Sequence, residues 1–175
     1  MTEQRRIAGL GPKGTFTESA MALWNADAEH ILVRTIEESV DLVLIDKADE
    51  AVVPLENAAG GPVTETHNLL LEHEQIHIVG EVVVPIEHCL IVAESSLVLD
   101  HKDISCIVSH PQGLAQCRKF LRDHFPQASL QESDSTASAV KLLSNENPGI
   151  AAIAPRRAAW AYGAHTLLEL SHIHI

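Results

Sequence analysis

The chain has 175 residues, of which 46% are apolar and 21% are charged. This length and balance allow a buried core, favour one globular unit that can be bilobed, and exclude a disordered or fibrous chain. Twelve Lys and Arg residues stand against 24 Asp and Glu residues, and the resulting formal net charge of −12 argues against a nucleic-acid backbone or an anionic membrane as partner.

The N-terminal segment lacks the long apolar region of a secretion signal. Met1–Arg6 is followed by only a short apolar run, and no stretch approaches the length of a membrane span. Cys89, Cys106 and Cys117 are an odd number of cysteines without CxxC spacing, which favours buried, reduced thiols. We therefore expect a cytosolic (cytoplasmic) protein that has no membrane association.

The first half of the sequence alternates short apolar runs, predicted as strands, with amphipathic segments, predicted as helices. The predicted strands are Ile7–Leu10, Ala51–Val53 and Ile76–Val84, and the predicted helices run from Phe16 to about Trp24, after Thr35, and from Val63 to about His73. The sequence Thr35-Ile36-Glu37-Glu38 has the capping-box pattern of a helix start. Gly80 is a candidate β-bulge in the third strand.

After Pro85-Ile86-Glu87-His88 the same alternation begins again. The predicted strands are Cys89–Ala93, Ile104–Val108, Ser129–Glu132, Gly149–Ala154 and Thr166–Leu170, and the predicted helices are Gln112–His124, Ser135–Leu143 and Pro155–Trp160, the last closed by Gly163. This order predicts an α/β fold with mixed, mostly parallel sheets. We expect two lobes with a cleft between them, lobe 1 at 1–84 plus 167–175 and lobe 2 at 85–166.

Three predicted helices begin at a tight polar corner that follows a strand. The corners are residues 11–17 (Gly-Pro-Lys-Gly-Thr-Phe-Thr), 109–113 (Ser-His-Pro-Gln-Gly) and 134–137 (Asp-Ser-Thr-Ala). A helix start presents unpaired N–H groups and the positive end of the helix dipole, which suit carboxylates. Because parallel α/β sheets bind ligands beyond the carboxyl ends of their strands, we expect the three corners to line one pocket for a small anionic metabolite.

Six motifs occur in order between about residue 7 and residue 168. They are residues 11–20, Val53-Pro54-Leu55-Glu56-Asn57 with Gly61 and Thr66, residues 85–90, residues 109–117, Ser135-Thr136-Ala137, and Ala151–Ala154 before Tyr162-Gly163. Together they resemble the catalytic domain of prephenate dehydratases. The resemblance implies a two-lobed fold of the type II periplasmic-binding-protein kind, with 1–175 as one catalytic domain.

The same resemblance implies an activity. The family comprises lyases that convert prephenate to phenylpyruvate, with loss of carbon dioxide and water, in L-phenylalanine biosynthesis. The reaction needs no cofactor and no metal. Because such domains commonly pair, the expected partners are the small-molecule substrate prephenate and a second copy of the chain, in a homodimer or higher homo-oligomer.

The resemblance also implies which residues form the site. It implies Asn57, Ser109, Gln116 and Thr136 as catalytic residues and Thr15, Phe16, Gly61, Ser135 and Ala137 as substrate-binding residues. Neutral donors of this kind bind carboxylates and leave the departing hydroxyl oxygen open to protonation. Helix capping is the alternative role for the hydroxyl residues, and a turn hydrogen bond is the alternative for Asn57.

Two positions depart from the family pattern. Ala58 stands where the family usually has Ser or Thr, and the Thr-Arg-Phe motif of the closing strand does not occur in residues up to Ile175. The sequence also contains no ACT regulatory domain. The alternative function is therefore a small-carboxylate-binding module with impaired turnover, and Arg156 or Arg157 is the candidate to replace the missing Arg.

Two histidine patterns suggest other chemistry at first sight. His73-Glu74-Gln75-Ile76-His77 matches the zinc-protease pattern, but the predicted helix ends between the two histidines, so we expect no zinc there. His110 is expected to bond nearby backbone rather than act as a general base. The terminal His172 and His174 are expected to be exposed.

Overall fold

The computed structural model describes residues 4–58, 60–98, 100–143 and 147–170. The chain divides into two compact units between Pro85 and Ile86. Each unit has its own sheet and its own core. No helix within the described ranges is long and apolar enough to cross a bilayer.

The first unit is built on a small parallel sheet. The strands of this unit are β1 (Arg6–Leu10), β2 (Glu29–Val33), β3 (Glu50–Val52), β4 (Glu56–Asn57) and β5 (Gly61–Pro62). The helices of this unit are α1 (Phe16–Trp24), α2 (Ile36–Leu44) and α3 (Thr64–Glu72). The sheet has the order β2-β1-β3, with Ala8 opposite both Ile31 and Ala51. Ile7 and Ala8 are fully buried because β1 is the central strand.

The predicted helix start at Thr35 is confirmed, with one difference. The Thr35 hydroxyl accepts a hydrogen bond from the N–H of Glu38 at 3.0 Å, as in a capping box. The Glu38 carboxylate, however, accepts from the N–H of Arg34 at 2.9 Å, one residue before the cap. The Thr35 hydroxyl thus binds one unpaired N–H group of the first turn of α2, and the Glu38 carboxylate binds the chain just before the cap.

Residues 76–84 do not form the strand that their sequence predicts. Ile78 and Val79 are neighbours that are 69% and 72% exposed, so neither is buried in the middle of the segment. Alternating apolar residues form a strand only where another strand supplies hydrogen bonds, and no described strand pairs with this segment. Without a described partner strand, Gly80 is not a β-bulge. Its backbone lies against the Trp24 indole instead, where an added Cβ would be 2.4 Å from the ring.

The second unit contains a five-stranded mixed sheet. Its strands are β6 (Cys89–Val92), β7 (Cys106–Ser109), β8 (Ser129–Glu132), β9 (Ile150–Ala154) and β10 (His165–Glu169), and its helices are α4 (Pro111–Gln116), α5 (Arg118–His124), α6 (Thr136–Lys141) and α7 (Arg156–Tyr162). The order is β10-β6-β9-β7-β8, in which β7 runs parallel to β8 and β9 and β6 runs antiparallel to β9 and β10. The predicted α/β fold with mixed sheets is confirmed.

Side chains on both faces of this sheet are buried. Along β6, Leu90 packs into one apolar cluster and Ile91 into another, and along β9 the neighbours Ile153 and Ala152 divide in the same way. Successive side chains of a strand point to opposite faces, so each cluster lies on one face of the sheet. The continuous apolar runs that predicted these two strands follow from this burial.

Two predicted boundaries differ in the second unit. The expected helix Gln112–His124 is two helices, because Cys117 ends α4 and begins α5 with a backbone outside the helical region. Residues 167–169, expected in lobe 1, belong to β10, which pairs with β6 inside the second unit, with Leu168 opposite Leu90. Leu170, also expected in lobe 1, is buried in an apolar cluster of the second unit. The remaining expected lobe 1 residues at this end, 171–175 with His172 and His174, lie outside the described residues.

Candidate active site

The corner after β1 is closed by the chain's own side chains. Thr15 is 8% exposed; its hydroxyl accepts from the N–H of Glu18 at 3.2 Å and donates to the carbonyl of Leu10 at 3.2 Å. The Glu18 carboxylate accepts from the N–H of Gly14 at 2.6 Å, at the helix start where a ligand carboxylate was expected. The Thr15 hydroxyl is therefore a helix cap, and the half-buried Phe16 follows it as the first residue of α1.

A short hairpin presents Asn57. β4 and β5 pair antiparallel with Asn57 opposite Gly61, whose φ of +75° is strained for any residue with a side chain. The Asn57 side-chain oxygen accepts from the N–H of Gly60 at 3.3 Å, the turn bond expected as its alternative role. Below the hairpin, the fully buried Thr66 donates to the carbonyl of Pro54 at 2.7 Å. The Gly60 bond uses the side-chain oxygen of Asn57 and so orients the amide, whose nitrogen is a hydrogen-bond donor.

In the second unit, the corners after β7 and before α6 meet at one glycine. A Cβ placed on Gly113 would lie 2.6 Å from the Ser109 hydroxyl, 3.4 Å from the Thr136 methyl group and 3.7 Å from Cε1 of His88. Only a residue without a side chain allows this approach. Two of the three predicted corners are thus brought together within one unit, and the third belongs to the first unit.

Ser109 is directed into the sheet. Its side chain is fully buried, and its hydroxyl donates to the carbonyl of Ile153 on the neighbouring strand β9 at 2.7 Å. A hydroxyl has one proton to donate, and this one is used within the fold. The position of Ser109 therefore supports the local packing around Gly113.

Gln116 is held by a histidine that the sequence did not single out as a site residue. Nε2 of His88 lies 2.6 Å from the side-chain oxygen of Gln116, and His88 is 7% exposed while Gln116 is half-buried. Burial lowers the pKa of His88 below its usual value, against the opposite effect of the Gln116 hydrogen bond. The imidazole is accordingly neutral at physiological pH. The sequence signal that could have identified His88 is its position directly before the wholly apolar strand β6.

The start of α6 contains the remaining predicted residues. The Ser135 hydroxyl accepts from the N–H of Ser138 at 2.9 Å and lies 2.8 Å from its hydroxyl, so Ser135 is a helix cap. Thr136 follows half-buried as the first helical residue, and Ala137 is fully buried. The side chain of Thr136 and the backbone N–H groups of the first turn are the groups that this corner offers to a ligand.

His110 and Arg156 have structural partners. Nδ1 of His110 accepts from the N–H of Gln112 at 3.3 Å and so caps α4, in agreement with its expected structural role. Arg156 forms an ion pair with Glu169 on β10, and this carboxylate raises the pKa of the guanidinium. Arg156 thus has a partner within the second unit, and its role in place of the missing Arg stays a prediction.

The zinc-protease pattern is not on a helix. His73 lies one residue beyond the end of α3, and His77 lies in the irregular segment that follows. Across the parts of the chain that the structure describes, no three His, Cys, Asp or Glu side chains are grouped so as to hold a metal ion.

The three cysteines are free thiols, of which Cys89 and Cys117 are buried and Cys106 is half-buried. Burial raises the pKa of Cys117 to about 11 and also raises that of Cys89. A thiol with a raised pKa is protonated at neutral pH and is a poor nucleophile.

Comparisons with known proteins identify the family to which the chain is similar. The family model for prephenate dehydratase matches residues 7–173. A prephenate dehydratase of Bacillus subtilis (strain 168) is 38% identical over 141 residues, which are 80% of this chain and 49% of that protein. A bifunctional chorismate mutase/prephenate dehydratase of Escherichia coli (strain K12) is 34% identical over 167 residues, covering 93% of this chain and 42% of that protein.

A solved structure shows the same fold. The prephenate dehydratase of Arthrobacter aurescens, crystallised with L-Phe, superposes with a TM-score of 0.84 at 33% identity, covering 94% of this chain and 54% of that one. The fold is thus of the periplasmic-binding-protein-like kind that the resemblance implied. The chain spans about half or less of the length of the curated relatives described above. With a family model that matches nearly all of its residues, the chain belongs to the prephenate dehydratase family.

Proposed function

We propose that the chain is the catalytic part of a prephenate dehydratase, a lyase that converts prephenate to phenylpyruvate in phenylalanine biosynthesis. Family membership supports the reaction. The observation that supports particular residues for this reaction is the hydrogen bond with His88 that orients Gln116, beside the cluster of Gly113 and Thr136. A neutral amide and a neutral hydroxyl are suitable partners for a substrate with two carboxylates whose hydroxyl group must leave as water.

The reaction makes modest demands on the protein. The bond from the ring to its carboxylate breaks, and its electron pair forms the last double bond of the aromatic ring. The ring hydroxyl leaves with one added proton as water, while the carboxylate leaves as carbon dioxide. Aromatisation drives both steps, so the protein has to hold the substrate in a reactive conformer and to place donors at its oxygens.

We assign roles to the candidate residues accordingly. Asn57, Gln116 and Thr136 donate hydrogen bonds to the substrate, a role supported by the bonds that orient the two amides. Ser109 acts through packing and not through contact, because its proton is bound by a backbone carbonyl. The hydroxyl of Thr15 likewise orders its corner.

The other predicted substrate contacts are of a different kind. Gly61 has no side chain, so it contacts substrate through its backbone, whereas Ala137 is fully buried and acts by packing behind the start of α6. The Ser135 hydroxyl is used as a cap, which leaves the first-turn N–H groups of α6. Phe16 is half-buried and supplies an apolar surface suited to the substrate ring.

The test is an assay of the purified chain with prephenate, following the absorbance of phenylpyruvate. We expect product in proportion to protein. Gln116→Ala and Asn57→Ala should abolish turnover. Asn57→Ala should leave the melting temperature nearly unchanged because the side chain is half-buried, whereas Gln116→Ala also removes the oxygen to which the buried His88 is bonded and should cost about 1–3 kcal/mol of stability. Gln112→Ala, on the same helix as Gln116, is the matched control and should retain activity.

Two other results would contradict the proposal. Prephenate binding without product would favour a small-carboxylate-binding module with impaired turnover. Activity that survives both amide substitutions would remove Asn57 and Gln116 from the site.

We also propose that the protein acts in the cytosol as a homodimer or higher homo-oligomer. The free, buried thiols Cys89 and Cys117 support a reducing compartment. The exposed apolar side chains of Leu71 and Trp160 support contact with another copy. Cell fractionation and light scattering test the two statements, and a monomer at micromolar concentration would contradict the second.

A further inference from the structure

The bond between His88 and Gln116 has a defined polarity. The atom of Gln116 at 2.6 Å from Nε2 of His88 is the side-chain oxygen, which only accepts hydrogen bonds. Nε2 must therefore carry the proton of the imidazole. The Gln116 amide nitrogen, with its two donors, is then directed away from His88.

His88 is itself held in place. It is 7% exposed, its ring edge lies 3.7 Å from the position of a Cβ on Gly113, and its carbonyl accepts from the N–H of Leu170 at 2.7 Å. The residue thus has its backbone tied to the chain beyond β10 and its ring packed beside α4. A ring fixed in this way offers Gln116 a donor at one position.

A glutamine side chain without such a partner has no fixed direction. Its terminal torsion is broad and roughly two-fold, so the oxygen and nitrogen exchange places readily. With the Nε2 proton of His88 in place, the exchanged orientation would bring two donors together. The histidine therefore selects the one orientation of Gln116 in which the NH2 group is presented.

We propose that His88 is a positioning residue that fixes the side-chain amide of Gln116 with its NH2 group turned toward the substrate carboxylate. This inference rests on the proposed function for its substrate. The orientation itself is a property of the free protein. Burial, which lowers the pKa of His88, also favours the neutral ring.

The first test needs no substrate. Long-range 1H–15N NMR spectra of the ¹⁵N-labelled protein above neutral pH distinguish the two neutral tautomers of His88, assigned by the loss of its signals in His88→Gln. We expect the Nε2–H tautomer. The Nδ1–H tautomer would overturn the proposal, because Nε2 would then accept from Gln116 and turn its oxygen outward.

The second test measures turnover of prephenate. His88→Leu removes the donor and should lower kcat about 10- to 100-fold. His88→Gln places an amide N–H near the original Nε2 and should recover most of the lost rate. Wild-type kcat in His88→Leu would overturn the proposal, and so would a His88→Gln variant as slow as His88→Leu with an intact melting transition.

The two tests separate the inference from the function on which it rests. If the wild-type chain does not turn over prephenate, the proposed function fails while the tautomer still decides the orientation of Gln116. If His88→Leu does not fold, the tautomer and the rate of His88→Gln decide the proposal together.

Discussion

The close packing at Gly113 predicts that a substitution there changes the stability of the protein in a definite direction. Replacing Gly113 with Ala in the middle of α4 should stabilise the helix by about 1 kcal/mol from propensity alone. The added Cβ, however, would lie 2.6 Å from the Ser109 hydroxyl, a distance that real Cβ atoms do not adopt. Something has to move, and the hydroxyl is bonded to the carbonyl of Ile153.

The size of the change in the free energy of unfolding follows from the contacts that the added Cβ disrupts. Displacing Ser109 leaves a buried carbonyl without its donor, which costs about 1–3 kcal/mol, and crowding adds a further cost of similar size. These costs exceed the gain in propensity. We therefore expect Gly113→Ala to lower the free energy of unfolding by about 1–5 kcal/mol.

A double-mutant cycle isolates the cause. Ser109→Ala removes the crowded oxygen, so Gly113→Ala should cost less in that background by at least about 1 kcal/mol. Urea denaturation followed by far-UV circular dichroism measures all four proteins. Ala115→Gly, at an exposed site of the same helix, is the control for propensity and should destabilise by about 1 kcal/mol. A more stable Gly113→Ala protein, or additive single and double variants, would refute the reasoning.

Three further predictions concern the first unit. Hydrogen bonds from Arg6 lower the pKa of Asp49 to about 2, so Asp49→Asn should lower the melting temperature at pH 7. The difference in melting temperature between the variant and the wild type should shrink as the pH falls from about 4 to 2. An NMR titration midpoint near 4 for Asp49 would contradict this. Thr66→Val removes a buried hydrogen bond and should cost about 1–2 kcal/mol in urea unfolding, whereas the exposed Thr64→Val should cost less. Glu18→Gln removes the carboxylate at the start of α1 and should lower stability by about 0.5–1 kcal/mol, with an effect that declines in 1 M salt if the helix dipole is its cause.

Elements with local signals could be predicted from the sequence. The helix Phe16–Trp24 and the strand Ser129–Glu132 have the predicted bounds, the first because Thr15 caps it and Asn25 ends it. The segment 76–84 has an equally apolar pattern but no described partner strand. Hydrogen bonding to a partner is a property of the whole fold, and the pattern of one segment does not contain it.

The candidate site shows the same limit. The motifs singled out Gln116 and Thr136, and their roles in catalysis stay predictions. What the sequence did not reveal is that His88, distant along the chain, binds Gln116, or that the Thr15 hydroxyl is used by its own helix. Both facts depend on how strands and helices come together in three dimensions.

The order of strands in the second sheet has a consequence for synthesis on the ribosome. β1, β2 and β3 of the first sheet are complete once Val52 has been made, whereas β6 lies between β9 and β10, both of which come later in the sequence. The nascent chain therefore carries the apolar strand Cys89–Val92 without either neighbour until Ile150–Ala154 emerges. An unpaired apolar strand is open to pairing with other chains, so this stretch is exposed to aggregation during translation.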